Sequence, residues 1–222
     1  MRKNYTKQQV TDVIHGKDIS RIPLVFHKWW GMGLEEKYGH ALDDMAKKYP
    51  EDIMAFFYTP PGEDVSYTQN PHYRWGFMDY SDVLGHSIGE RKVLLDDWED
   101  LDRLLADFPD PNEPGTFDGA AKAAKEAGED VYKLGCWWHF LHERFWNIRG
   151  MENLMFDYYD AMDELKLLGN RLLEYYKVIV DRFKALGYDG IFTSDDLGHQ
   201  TGPMMSPEIF HELYYPLYKE FI

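Results

Sequence analysis

The stretch DELKLLGNRLLEYYKVIVDRFKALGYDGIFTSDDLG, residues 163–198, decides how the rest of the chain is read. Leu165, Leu168, Leu172, Tyr176, Ile179, Phe183 and Leu186 recur at intervals of 3, 4, 4, 3, 4 and 3 residues, which keeps one apolar stripe along one side of a helix. The spacing predicts a helix over 163–186. Gly187 ends it, and residues 189–194 follow as a strand. A long helix, a glycine turn and a short apolar strand form the return stroke of a βαβ unit, in which the helix covers a parallel sheet.

Upstream, residues 131–137 read as a strand, 116–127 as an Ala-rich helix, 107–115 as a Pro-rich loop and 98–105 as helical. The apolar run 52–59 closes at Pro60-Pro61-Gly62, and a helical segment over 42–49 ends at Pro50. Residues 21–27 are too continuously apolar for a half-exposed strand and predict a first strand buried on both faces. Residues 6–15 predict a short helix with Val10, Val13 and Ile14 on one face, stopped by a left-handed Gly16. Residues 73–95, aromatic and β-branched but broken by Gly76, Gly85 and Gly89, predict an antiparallel hairpin inserted outside the parallel core. Downstream, Ser206 as N-cap, Pro207 at the first helical position and Glu208 against the helix dipole open a last helix that runs to Ile222. Four strands alternating with helices make the chain α/β. Within that class the pattern leaves a doubly wound sheet and a (β/α)8 barrel both open, and one domain is expected.

Lys plus Arg number 24 against 39 Asp plus Glu in 222 residues, a net charge of -15. Such a balance repels a phosphate backbone, so nucleic acid and anionic membrane surfaces are not expected as partners. The single cysteine, Cys136, cannot form an internal disulfide. With no run of about 18 apolar residues and no apolar stretch in residues 1–16, a cytoplasmic location is expected. No GxGxxG follows the first strand and no GxxxxGK[ST] occurs, so neither nucleotide-binding signature supports a role for the chain.

Parallel α/β enzymes place reactive groups at the carboxyl ends of their strands. His27, Trp29 and Trp30 follow the first strand, and Tyr58 ends the second. Trp137, His139, His142 and Glu143 follow the third, and Asp195, Asp196, His199 and Gln200 the last. The adjacent carboxylates Asp195 and Asp196 could hold one raised pKa for proton transfer or orient a polar substrate. Alternatively, one caps the next loop while the other is solvated. His27 is read as a general acid or as an ordinary loop histidine. His139, His142 and Glu143 stand at i, i+3 and i+4, which predicts one helical face, although the pattern is not HExxH and no metal ligand is assigned. Cys136 is expected to be buried and inert. The candidates are therefore Asp195, Asp196 and His27 for catalysis. For substrate binding they are Trp29, Trp30, Tyr58, Trp137, His139, Glu143, His199 and Gln200.

The segments VIHGKDISRIPL (13–24), GMENLM (150–155), GYDGIFTSDDLG (187–198), SPEIF (206–210) and YPLYK (215–219), in that order, resemble the uroporphyrinogen decarboxylase superfamily. The resemblance implies a (β/α)8 TIM barrel with a hairpin insertion, of which this chain holds about five or six of the eight units. It also implies sheet edges that a second copy or a segment beyond Ile222 would cover. The superfamily includes decarboxylases that need no cofactor and cobamide-dependent methyltransferases that use zinc. HKWWGMG (27–33) stands where the decarboxylases carry an arginine-rich segment, and Tyr58 or Thr59 where they carry a catalytic aspartate. Nine Arg in a chain of net charge -15 ill suit an eight-carboxylate tetrapyrrole. The implied function is methyl transfer involving a corrinoid or thiol acceptor. Tetrapyrrole decarboxylation and a non-catalytic partial barrel are the alternatives. Zinc and a corrinoid are the implied cofactors, with zinc ligands expected beyond Ile222. The implied partners are a small-molecule substrate and a corrinoid protein.

Overall fold

The computed structural model describes residues 3–17, 20–26, 33–58, 93–106 and 108–222. Three strands, β1 (Ile53–Phe57), β2 (Tyr132–Trp137) and β3 (Gly190–Thr193), form a parallel sheet in the spatial order β1-β2-β3. β1 and β2 pair with Ile53 opposite Tyr132 and Phe57 opposite Cys136. The described chain is thus a mixed helix and sheet structure with a parallel core. His27, Trp29, Trp30 and residues 73–92 of the expected hairpin lie outside the described residues.

Helices precede and join the strands. α1 (Lys7–Ile14), α2 (Leu34–Tyr38) and α3 (His40–Lys48) come before β1; α4 (Leu101–Ala106) and α5 (Asp118–Ala127) lie between β1 and β2. α6 (Leu141–Arg149), α7 (Met151–Asp160) and the 24-residue α8 (Met162–Ala185) lie between β2 and β3. After β3 come the two-stranded ribbon β4 (Gly198–His199) and β5 (Gly202–Pro203), then α9 (Pro207–Ile209), a π turn (Phe210–Tyr214) and α10 (Tyr215–Phe221).

By contact the chain divides into two compact units. The first comprises Met1–Tyr58, Phe117–Cys136 and Phe183–Phe192. The second comprises Thr59–Thr116, Trp137–Arg182 and Thr193–Ile222.

In the first unit, α1 begins with a capping box between Thr6 and Gln9, and Gly16 follows it at φ 68° as a left-handed stop. The sheet register places Phe56 and Gly135 on one face. A Cβ on Gly119, at the start of α5, would lie 3.2 Å from the Phe56 ring, and one on Gly135 would lie 2.7 Å from the Phe183 ring at the end of α8. Both crossover helices therefore reach the same face of the sheet. Tyr58 stacks on Phe117 with centroids 4.4 Å apart, and the edge of Phe183 closes the cluster.

The first strand expected over 21–27 is corrected: residues 22–26 form no strand. Their amides go to side chains instead of a ladder. Leu24 N donates to Asp52 Oδ2 at 2.7 Å and Phe26 N to Glu51 Oε1 at 2.6 Å, while Pro23 has no N–H to give. Ile22 is 82% exposed, so the run is not buried on both faces. Asp52, itself buried, also accepts from Tyr5 N and binds the Arg21 guanidinium through both oxygens, at 2.5 and 2.6 Å.

In the second unit, Leu165, Leu168, Leu172, Tyr176 and Ile179 of α8 are all buried, as their spacing requires. Gly169 lets helices approach closely, since a Cβ there would lie 2.8 Å from Leu217 and 3.1 Å from Phe145. Arg149 pairs with Asp157 at 2.6 Å inside the core and lies over the Trp98 ring at 4.3 Å. Periodicity does not predict α6 and α7. Leu141, His142, Glu143, Arg144, Phe145, Ile148 and Arg149 are all buried in α6, so no polar face marks it as a helix.

Replacing Gly135 with Ala should destabilise the chain by about 1–3 kcal/mol, because the new methyl would overlap the buried Phe183 ring. Urea unfolding of Gly135→Ala tests this, and an unchanged midpoint contradicts the close approach.

Candidate functional site

The second unit brings together residues from three stretches: the segment after β2, the segment after β3, and the last helix. α6 starts at Leu141, and the residue in its N-cap position, Phe140, has no side-chain acceptor for the amides of the first turn. Asp195 supplies one. Its Oδ2 accepts from His142 N at 3.0 Å, its Oδ1 from Glu143 N at 2.9 Å, and Leu141 N adds a further bond. The Tyr218 hydroxyl donates to the same Oδ2. A carboxylate 53 positions from the helix in sequence thus caps it and faces the positive end of its dipole. Burial pushes the Asp195 carboxyl above its ordinary range, and the hydrogen bonds from Tyr218 and the amides pull it back.

Glu143 extends from this first turn, with 11% of its side chain exposed. Ser194 Oγ donates to Glu143 Oε2 at 3.3 Å, and His139 Nε2 lies 3.9 Å from Oε1. Burial, and next the charge of Asp195, raise the Glu143 carboxyl. His139 is not on the helix. It precedes α6 at φ 61°, a left-handed conformation uncommon for a residue with a Cβ. Its carbonyl accepts from Tyr176 Oη at 2.8 Å, and Asn147 Nδ2 donates to its Nδ1 at 3.1 Å. With Nδ1 accepting, the neutral ring carries its proton on Nε2, the atom that faces Glu143.

The single helical face expected for His139, His142 and Glu143 is therefore corrected, because the chain turns at His139 before the helix begins. His142 is wholly buried. Its Nδ1 lies 2.8 Å from Tyr214 Oη and 3.1 Å from Tyr158 Oη, the two hydroxyls are 2.8 Å apart, and its Nε2 is 3.4 Å from Met204 Sδ. Burial lowers its pKa to about 4.

The other candidates do not contact Glu143 through their side chains in any hydrogen bond or ion pair described for it. Asp196 is exposed and accepts from Gly198 N at 3.4 Å. His199 and Gln200 are exposed at the β4-β5 ribbon, where His199 Nδ1 accepts from Thr201 N at 3.2 Å. Trp137 is wholly buried, its ring stacked on Tyr176 with centroids 5.7 Å apart. Tyr58 belongs to the core of the first unit. His27, Trp29 and Trp30 fall outside the described residues. Ser194, Asn147, Tyr158, Tyr214 and Tyr218 are not singled out as site residues by sequence, although Ser194 and Tyr218 fall within the segments 187–198 and 215–219 that carry the family resemblance, and Tyr214 and Tyr218 stand at i, i+4.

Among the described residues no three His, Cys, Asp or Glu side chains converge as a metal ion requires. Cys136 is buried and its thiol is pushed up to about 12 by burial, the reverse of what a metal-binding thiolate needs. The described residues do not fit the zinc that the family resemblance implies. Nor is any helix among them long and apolar enough to cross a membrane.

The folded pKa of His142 lies below the unfolded value of about 6.5. Its neutral form is favoured by the fold, so the stability it contributes is present above pH ~6.5 and is lost as pH falls toward 4. The loss amounts to about 3 kcal/mol. The raised carboxyls of Asp195 and Glu143 act in the opposite sense over the acid range. Denaturant unfolding at pH 7 and pH 5 should show His142→Gln losing less stability on acidification than the wild type.

Comparison with family models, with curated proteins and with solved structures finds no match to this chain.

Proposed function

We propose that this chain is a methyl-transfer enzyme of the uroporphyrinogen decarboxylase type, with Glu143 as the group that moves the proton. The parallel strands follow in sequential order with both crossovers on one face, a winding that supports a (β/α)8 barrel. One observation carries the chemical reading. Glu143, held above its ordinary pKa in a mostly buried position, faces the partly exposed His139 just after the end of β2. A carboxyl whose pKa is raised by burial and a neighbouring charge is moved toward the range in which general acids work.

In the reaction, a donor R–X–CH3 gives its methyl group to a thiol-type or corrinoid acceptor. The acceptor enters as the thiolate or the reduced corrinoid, and its electron pair forms the new bond to the methyl carbon as the X–C bond breaks with its own pair left on X; protonated Glu143 gives X its proton and regains one from solvent, which also carries the proton a thiol has lost. Ser194 donates to one Glu143 oxygen, and His139 Nε2 stands 3.9 Å from the other. Asp195 fixes the turn of helix from which Glu143 projects. No metal-assisted step is assigned to the described residues.

The test is incubation of the full chain with a panel of methyl donors and reduced free cobalamin, following methylcobalamin by absorbance. Transfer is expected, and Glu143→Gln should lower kcat by about 10²–10⁴-fold with the fold intact. A folded chain that transfers no methyl but converts uroporphyrinogen to coproporphyrinogen replaces this reading with decarboxylation. A folded chain that does neither points to a non-catalytic barrel, and a Glu143→Gln variant at full rate removes Glu143 from the role.

A further inference from the structure

The last helix is interrupted by the π turn over Phe210–Tyr214, which inserts an extra residue into the helical winding. Each added residue rotates the remainder of the helix by roughly 100° about its axis. The insertion sits between the Ser206 cap at one end and Tyr218 at the other, so it sets the direction in which Tyr214 and Tyr218 project. Both reach α6. Tyr214 Oη meets the His142 ring, and Tyr218 Oη meets the carboxylate that holds the His142 and Glu143 amides. The Tyr218 ring is held by Phe140 at 5.6 Å, edge on, and by Phe210 at 6.2 Å, stacked.

We propose that Tyr218 is a positioning residue for Glu143: its hydroxyl holds Asp195 beneath the first turn of α6, and the Glu143 backbone hangs from that same carboxylate. Tyr218 touches neither a substrate nor a reacting atom; it acts through Asp195. Burial first, and then the charges of Asp195 and Glu143, push the Tyr218 phenol up, and the hydroxyl lies within the field of the two carboxylates. It therefore remains a neutral donor across the working pH range. The proposal rests on reading Glu143 as the proton-transferring group, and it adds the residue that sets where that group stands and how tightly it holds its proton.

Several other polar and titratable groups surround the pair. Ser194 and His139 contact the Glu143 side chain, Asp196 acts on Glu143 by charge, and Tyr158 of α7 and Tyr214 of the π turn lie within the field of Asp195. Removing the Tyr218 hydroxyl leaves the Asp195 charge less compensated, so Glu143 should hold its proton to higher pH. Removing the Asp195 charge should have the reverse effect.

The experiment is carboxyl 13C NMR titration of Glu143 in the full chain, paired with methyl-transfer kinetics. In Tyr218→Phe the Glu143 midpoint should rise by roughly half a unit or more, with kcat down about 10-fold and KM near the wild-type value. In Asp195→Asn the midpoint should fall. A folded Tyr218→Phe with an unmoved midpoint overturns the proposal, even if kcat drops. If Tyr218→Phe does not fold, Asp195→Asn decides: a lowered midpoint supports the coupling and an unchanged one removes it. The titration needs no substrate, so shifted midpoints in a chain that transfers no methyl group uphold this inference and sink the methyl-transfer reading.

Discussion

Asp195 sends its carboxylate into the open end of α6 and takes up the amides of a turn that has no cap of its own. An N-cap of this kind contributes about 1 kcal/mol. Its larger effect is geometric, because the alternative is a buried helix end with unsatisfied donors. Through this one group, the segment after β2, the segment after β3 and the last helix are tied at a common point. Tyr218 completes the donor set, so the oxygens of Asp195 are engaged in holding structure. Glu143, on the same turn, is the group to which the proposed proton transfer is assigned.

The same low-polarity surroundings act on every ionisable group in this part of the molecule whose pKa is displaced, and they act toward neutrality. Burial lowers His142 and raises Asp195, Glu143 and the phenols of Tyr158, Tyr214 and Tyr218. A chain that is strongly acidic overall therefore keeps, around α6, a cluster whose members resist charge. Desolvation also divides two neighbours on one helix into different roles. His142 is enclosed by two hydroxyls and a thioether, whereas Glu143 faces a half-exposed imidazole.

The parts of this arrangement that local chemistry specifies were legible in the sequence. The stripe from Leu165 to Phe183, the stop at Gly187, the strand after it and the Ser206-Pro207 helix start all depend on neighbours a few residues away, and all are present. The prominence of Asp195 was also legible, from its place after β3. Two things were not. Residues 22–26 carry the apolar pattern of a strand, but their amides are taken by the side chains of Glu51 and Asp52, a competition that hydrophobic periodicity does not register. α6 is buried all round and has no two-sided pattern to read. Its cap comes from a residue more than fifty positions away, and the extra residue in the π turn that aims Tyr218 has no known local signature.

The long-range cap also has a consequence for the order in which the molecule can be made. A ribosome releases α6 well before Asp195, and Asp195 23 residues before Tyr218. During synthesis the helix that carries Glu143 thus emerges with its first turn uncapped, and that turn is not fixed until Asp195 and then Tyr218 have appeared. The placing of the Glu143 turn is a late event of biosynthesis, withheld from partial chains by the distance along the sequence between a helix and the carboxylate that finishes it.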